Sequence, residues 1–280
     1  MLHQLFYLSA MKKWIFMSIV LLFCSCKTLY HLTSKNRNPV ALTGSAFYRE
    51  AVSMDWRQRD SFALREILNG NLPEFLNLFT PVPLSVTDSS SGKTISATLF
   101  VTADYLSIGS NNDWARIPLT PMAAQIIADS FHCFLPTQKL VDDIYKHAVV
   151  KLSPVWMFAY RDSTPTMYHH HLMVEGLRQQ RTGLIAGIKK DVILTNQLIN
   201  TSKPNRVAIY GWHQPDGKPI QPVYTGHVNR YVDYSHGIRL IYRRMKVNHK
   251  WMDVAEVMNN QLLRKLITYE AEGAILRYTF

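Results

Sequence analysis

The sequence predicts an α+β protein, with helices and mainly antiparallel strands in a single compact domain. Three observations carry that reading. With 47% apolar and 18% charged residues over 280 positions, the chain has the composition of a folded body rather than of a disordered tail or a polytopic membrane protein. Its apolar spacing switches between the helical period and strict alternation. These switches run helices, strands, helices, strands, without the regular strand–helix alternation that builds a doubly wound parallel sheet.

From Ser45 to Phe79 apolar residues recur at helical spacing, Phe62, Ile67 and Leu68 and then Leu72, Phe75, Leu76 and Phe79, with a break at Asn69-Gly70-Asn71. Two or three short helices are expected there. Ser89-Ser90-Ser91-Gly92 reads as a turn. Between Lys93 and Val101, Ile95, Ala97, Leu99 and Val101 alternate with Thr94, Ser96 and Thr98, the pattern of a half-buried strand. Tyr105 to Ile108 and Trp114 to Ile117 are expected to continue its sheet. Thr120-Pro121, an N-cap followed by proline, starts a helix that runs to Phe131. Pro136-Thr137 starts a second, through His147, and Thr164-Pro165 a third, to about Arg181. Strands are expected again at Asp191 to Thr195, Arg206 to Tyr210 and Gly237 to Met245, with a short helix from Asp253.

Ahead of the domain, Lys12 and Lys13 precede the apolar run from Trp14 to Phe23, and Cys24-Ser25-Cys26 follows it. The run is about half of the ~20 residues a membrane-crossing helix needs, so it reads as a secretory signal. Phe23-Cys24-Ser25-Cys26 resembles the lipobox of bacterial lipoproteins. That resemblance implies a signal peptide over 1–25, lipidation at Cys26, a polar tether over 26–44 and a domain over 45–280, with candidate lobes 45–160 and 161–280. It also implies export and a lipid anchor in the bacterial cell envelope, facing the periplasm, so that the membrane is one partner. With Cys26 lipidated, Cys133 is left without a disulfide partner and reads as a small core hydrophobe. A formal charge of +11, spread along an exported chain, points to an anionic cell-envelope polymer as a partner and away from nucleic acid.

Chemistry concentrates between Arg206 and Leu240, where His213, His227, His236, Asp216 and Asp233 lie among four tyrosines. Loops held between strands are where functional groups gather. One reading makes His213, His227 and His236 neutral imidazole ligands of a divalent metal such as zinc, with Asp216 or Asp233 as fourth ligand or base. A second makes Ser235 a nucleophile, with His227 as base and Asp216 as orienter, because Ser235 and His236 are adjacent and point to opposite faces of a strand. Lys190 and Arg239 are candidates for anionic substrate groups, and Trp212 and Tyr234 for stacking on a sugar. A bland reading has the same rings and hydroxyls satisfying the backbone of a long ordered loop. Of His169-His170-His171, in a predicted helix, only His171 need face the core. No nucleotide-binding or cofactor-attachment motif is present, so no organic cofactor is expected.

Tyr234-Ser235-His236-Gly237-Ile238-Arg239-Leu240 resembles the Ser-His-Gly-Cys-x-Arg signature of L,D-transpeptidases, and Val207 to Gly211 loosely resembles the upstream strand of that family. The resemblance implies a peptidoglycan-related scaffold without thiolate chemistry, since Ile238 stands in the cysteine position and Tyr210 in the upstream histidine position. More broadly, Gly187 to Asp191, Tyr210 to His213 and Asp233 to Gly237 are similar to a group of uncharacterised secreted microbial proteins and lipoproteins. The expectation is a membrane-tethered hydrolase acting on a cell-envelope polymer, peptidoglycan or a related glycan, through a His/Asp cluster. The alternative is a non-catalytic lipoprotein that binds the envelope or a glycan.

Overall fold

The computed structural model describes residues 30–199 and 202–280. The expected signal peptide, 1–25, and the lipidation site Cys26 lie outside these residues. Two helices open the domain, α1 (Gly44–Glu50) and α2 (Trp56–Leu68). Asp55 caps α2 through a full capping box: its carboxylate accepts from Gln58 N, and the Gln58 side chain accepts from Asp55 N. Strands β1 (Phe79–Thr87) and β2 (Thr94–Thr102) form a hairpin, and β3 (Ser107–Gly109) and β4 (Trp114–Arg116) a smaller one. There follow α3 (Pro121–Ser130), β5 (Cys133–Phe134), α4 (Gln138–His147), β6 (Val150–Lys151) and α5 (Thr164–Arg178), with Thr120, Thr137 and Ser163 as the N-caps of the three helices. The last third contains β7 (Ile185–Ala186), β8 (Lys190–Val192), β9 (Ile209–His213), β10 (Pro219–Tyr224), β11 (His236–Gly237), β12 (Ile241–Tyr242), β13 (Arg244–Val247), β14 (Lys250–Asp253) and α6 (Val254–Asn259).

The fold is α+β in one compact domain, as expected from the pattern. A six-stranded antiparallel sheet is centred on β2, with β1 on one side and β12 and β13 sharing the other. A four-stranded sheet runs β10-β9-β8-β11, and only its β8–β11 pair is parallel. Among the described residues no helix is long and apolar enough to cross a membrane.

Several elements differ from the expectation, each for a physical reason. β1 carries Pro81 and Pro83, which is acceptable because it is an edge strand and both prolines are exposed. The segments expected to prolong the β2 sheet pair with each other instead, as β3 and β4. The single strand expected from Gly237 to Met245 is broken into β11, β12 and β13, with Arg239 turned inward between the first two. The described part of the expected tether packs on the domain. Leu32 is buried, the Tyr30 ring lies 4.6 Å from Phe100, and Arg37 donates to Asn71 and to the Ala41 carbonyl. His170 is buried alongside His171, so two of the three consecutive histidines face the interior. Cys133 is a buried core residue whose thiol is pushed up by burial.

Arg239 connects the six-stranded sheet to the short strand β7. Fully buried, it donates to the Thr102 carbonyl at 2.8 Å and the Ile185 carbonyl at 2.6 Å, and its guanidinium lies 4.2 Å from the centroid of the Tyr105 ring. It is therefore an internal clamp, and the expectation that it holds substrate anions is corrected. Arg239→Met leaves two buried carbonyls without that donor and is expected to cost about 2–5 kcal/mol of stability in urea unfolding. A loss below about 0.5 kcal/mol, the size of an ordinary surface substitution, rejects the clamp.

Candidate functional site

The residues singled out between 206 and 240 fall into two places, and the division arises in β9. Gly211 (φ +104) and Trp212 (φ +57) are consecutive left-handed residues. Their pairing with β8 stays in register, Lys190 opposite Gly211 and Trp212 N donating to the Lys189 carbonyl, while the backbone turns through the left-handed region. Side-chain alternation is interrupted there, so Tyr210 and His213 both reach Asp142 on α4. Trp212 instead meets Lys190, Trp156 and Tyr234. His213 is thereby removed from His227 and His236, and Asp216 lines the same cavity as His213. Among the described residues no three His, Cys, Asp or Glu side chains converge as a metal cluster. The predicted three-histidine metal site is not formed.

Around His236 the remaining candidates do converge. Tyr231 packs on His227 and His236, with ring centroids at 4.4 and 5.9 Å, and the two histidine rings are 6.2 Å apart. Asp233 Oδ1 accepts from Ser235 N at 2.8 Å and Ser235 Oγ at 2.5 Å, while Oδ2 accepts from Arg161 Nη2 at 3.0 Å and Tyr231 OH at 3.3 Å. Four donors engage the ~4 lone-pair positions of a carboxylate, so Asp233 is committed to organising the loop rather than to taking a proton or a metal. Ser235 is fully buried and its hydroxyl is spent on Asp233, which corrects the reading of it as a nucleophile based on His227 and oriented by Asp216.

His236 is the reverse case. It is 1% exposed, its Nε2 is 4.0 Å from Asp233 Oδ1, and neither ring nitrogen has a hydrogen-bond partner among the described residues. Buried polar groups are normally paired, and an exception calls for an explanation such as a functional role. Burial lowers the His236 pKa to about 4 against the pull of Asp233, so the ring is neutral at neutral pH. Burial also lowers the half-buried His227. Asp233 is held at about 2: burial works against its charge, but the protonated form of His236 and the two Ser235 bonds outweigh it.

Two lysines sit behind the loop. Lys189 is buried, donates to the Tyr234 carbonyl and lies 3.1 Å from His170 Nδ1. Burial first, and Arg116 second, bring it down to about 7. Lys190 keeps slight exposure, with Nζ 5.0 Å from the Trp212 ring centroid, and burial lowers it too. Of the four residues expected to contact substrate, only Lys190 reaches the surface; Trp212, Tyr234 and Arg239 are enclosed. Gly237 must lack a side chain, since a Cβ would lie 2.6 Å from both Lys189 Cβ and Tyr105 Cδ1.

The site adjoins a cavity of about 440 Å³ lined by Tyr231, Arg230, Arg59 and the Ser163–Thr164 start of α5. Sequence reasoning missed Arg161, which lies in an irregular loop with no periodicity to mark it. It also missed Asp142, although Asp142 and Tyr145 stand three apart on one face of α4. Compared with family models, curated proteins and solved structures, the chain matches none.

A histidine whose folded pKa lies below its unfolded value of 6.5 leaves the unfolded chain binding more protons, so its contribution to stability is lost as pH falls from 6.5 toward 4. Urea unfolding at both ends of that window is expected to show wild type losing up to about 3 kcal/mol more than His236→Asn. Equal losses in the two proteins reject a neutral, enclosed His236.

Proposed function

We propose that the His227–His236 site belongs to an exported, membrane-tethered hydrolase that acts on a cell-envelope polymer, peptidoglycan or a related glycan. The observation that carries this reading is the pair itself: an enclosed His236 with both ring nitrogens unpartnered among the described residues, beside a half-buried His227 at the surface. His227, neutral at pH 7, takes the proton of an attacking water and returns it to the leaving group. Lys190 and Arg161, both close enough to perturb His227, supply positive charge where an oxyanion develops as the water adds to an amide or ester carbonyl of the polymer. The enclosed His236 backs the His227 and Tyr231 rings, and Asp233 holds the loop. No covalent intermediate enters, because Ser235 is enclosed.

A second reading, a non-catalytic envelope or glycan binder, is favoured by one observation. The 152–162 loop beside the site exposes Trp156 (49%), Phe158 (90%) and Tyr160 (82%), a run of aromatics suited to an extended polymer.

The protein is incubated with isolated peptidoglycan and the released fragments are separated by chromatography. Fragments are expected from wild type, with His227→Ala slowed about 10²-fold or more at unchanged melting temperature. Absence of fragments from wild type, together with retention on the polymer that Phe158→Ala and Tyr160→Ala abolish, replaces the hydrolase with the binder.

A further inference from the structure

Asp142 organises a second cluster, apart from the His227–His236 site. Its Oδ1 accepts from Tyr210 OH at 2.8 Å and from His213 Nε2 at 3.1 Å, and its Oδ2 accepts from Tyr269 OH at 3.2 Å. His213 is also stacked on Tyr145, with ring centroids 4.4 Å apart. The Tyr269 hydroxyl is therefore anchored while its ring is 60% exposed. That ring is a wall shared by two cavities. One, of about 520 Å³, is lined by Asp142, Lys146 and Lys151; the other, of about 470 Å³, by Lys139, Arg264 and Lys265.

An aromatic ring anchored at its hydroxyl offers a flat apolar face at little further entropic cost, the surface that the C–H face of a sugar ring matches. Asp142 has three donors for ~4 lone-pair positions, so it retains room to accept from a hydroxyl of a ligand. Lys146, Lys151 and Lys265 form no ion pair among the described residues. Lys151 is positioned 4.9 Å from the Tyr145 ring centroid and donates to the Lys146 carbonyl, which leaves its other N–H groups for a ligand anion. The acidic groups nearby are engaged: Asp216 accepts from Lys218 N, and Glu270 from Thr195 and Asn196. Stacking face, hydroxyl acceptor and unpaired cations together describe a ligand with sugar rings and carboxylates, and the two cavities flanking one ring describe a chain longer than one sugar.

We propose that Tyr269 and its two flanking cavities form a binding site for an acidic oligosaccharide, in which one sugar stacks on Tyr269, Asp142 accepts from its hydroxyls, and Lys146 and Lys151 pair with carboxylates. The proposal does not rest on hydrolysis at His227, and either outcome of that assay leaves it standing.

Calorimetric titration of the full chain with a short oligomer of glucuronic acid tests it, with a glucose oligomer of equal length and inorganic polyphosphate as comparators. Binding of the acidic oligomer is expected, weakened about tenfold or more by Tyr269→Ala and less by Lys151→Met, with Tyr269→Phe retaining most of it. Tyr269 is exposed, so the variants are expected to fold, and an unchanged melting temperature verifies this. No binding of the acidic oligomer by wild type overturns the proposal. Equal affinity for the glucose oligomer removes the role of the lysines and overturns the acidic class. Polyphosphate binding as tightly as the acidic oligomer, with both insensitive to Tyr269→Ala, reduces the site to a diffuse basic patch and overturns it as well.

Discussion

The buried Arg239 guanidinium is the constraint on which the rest of this structure depends. Its two carbonyl acceptors belong to β2, in the six-stranded sheet, and to the short strand β7, so the side chain reinforces a junction that Ile185 N also makes with the Ala103 carbonyl. Beneath it lies Tyr105, whose hydroxyl donates to Asp191 on β8. Asp191 is buried at this junction, which raises its carboxyl to about 6 even with Arg239 near. Tyr105 also packs against Gly237, so the chain from the sheet junction to the Ser235–Gly237 turn is continuous.

A neighbouring ionic network supports the same region. Arg116 makes a two-pronged pair with Asp104, at 2.8 and 2.6 Å, and reaches Glu175 on α5 at 2.8 Å. Asp104 stays charged although burial opposes it, because Arg116 dominates its surroundings. The cationic surroundings carry over to the next layer. Arg116 is among the groups that lower His170, His171 and Lys189, although burial is the first cause for each. Neutral His170 thus lies behind the candidate site, against Lys189 and Tyr234.

Within the site, saturation separates structural groups from chemical ones. Asp233 and Ser235 looked reactive by residue type, yet four donors on one carboxylate and a hydroxyl spent on that same carboxylate leave them no free capacity. His236 and His227 retain theirs. The left-handed Gly211–Trp212 pair sends His213 to Asp142 and so makes two sites from one sequence cluster, the second built round three donors on a carboxylate and an exposed Tyr269 ring.

Local signals in the sequence determined the α+β class, the caps at Thr120 and Thr137, the alternating strand β2 and the interior place of Cys133, because period, capping and composition act over a few neighbouring residues. The same signals marked the 206–240 segment as the place where functional groups gather. Only the tertiary structure decided which of them meet. Arg161 and Asp142 come from elements 72 and 71 residues distant from their partners Asp233 and His213, and no periodicity encodes such a pairing. Burial of Trp212, Tyr234 and Arg239 depends likewise on what packs over them, from the Trp156 ring to the Tyr105 ring. Residue type sets what a side chain can do, but its solvation and its remaining hydrogen-bond capacity are properties of the packed chain.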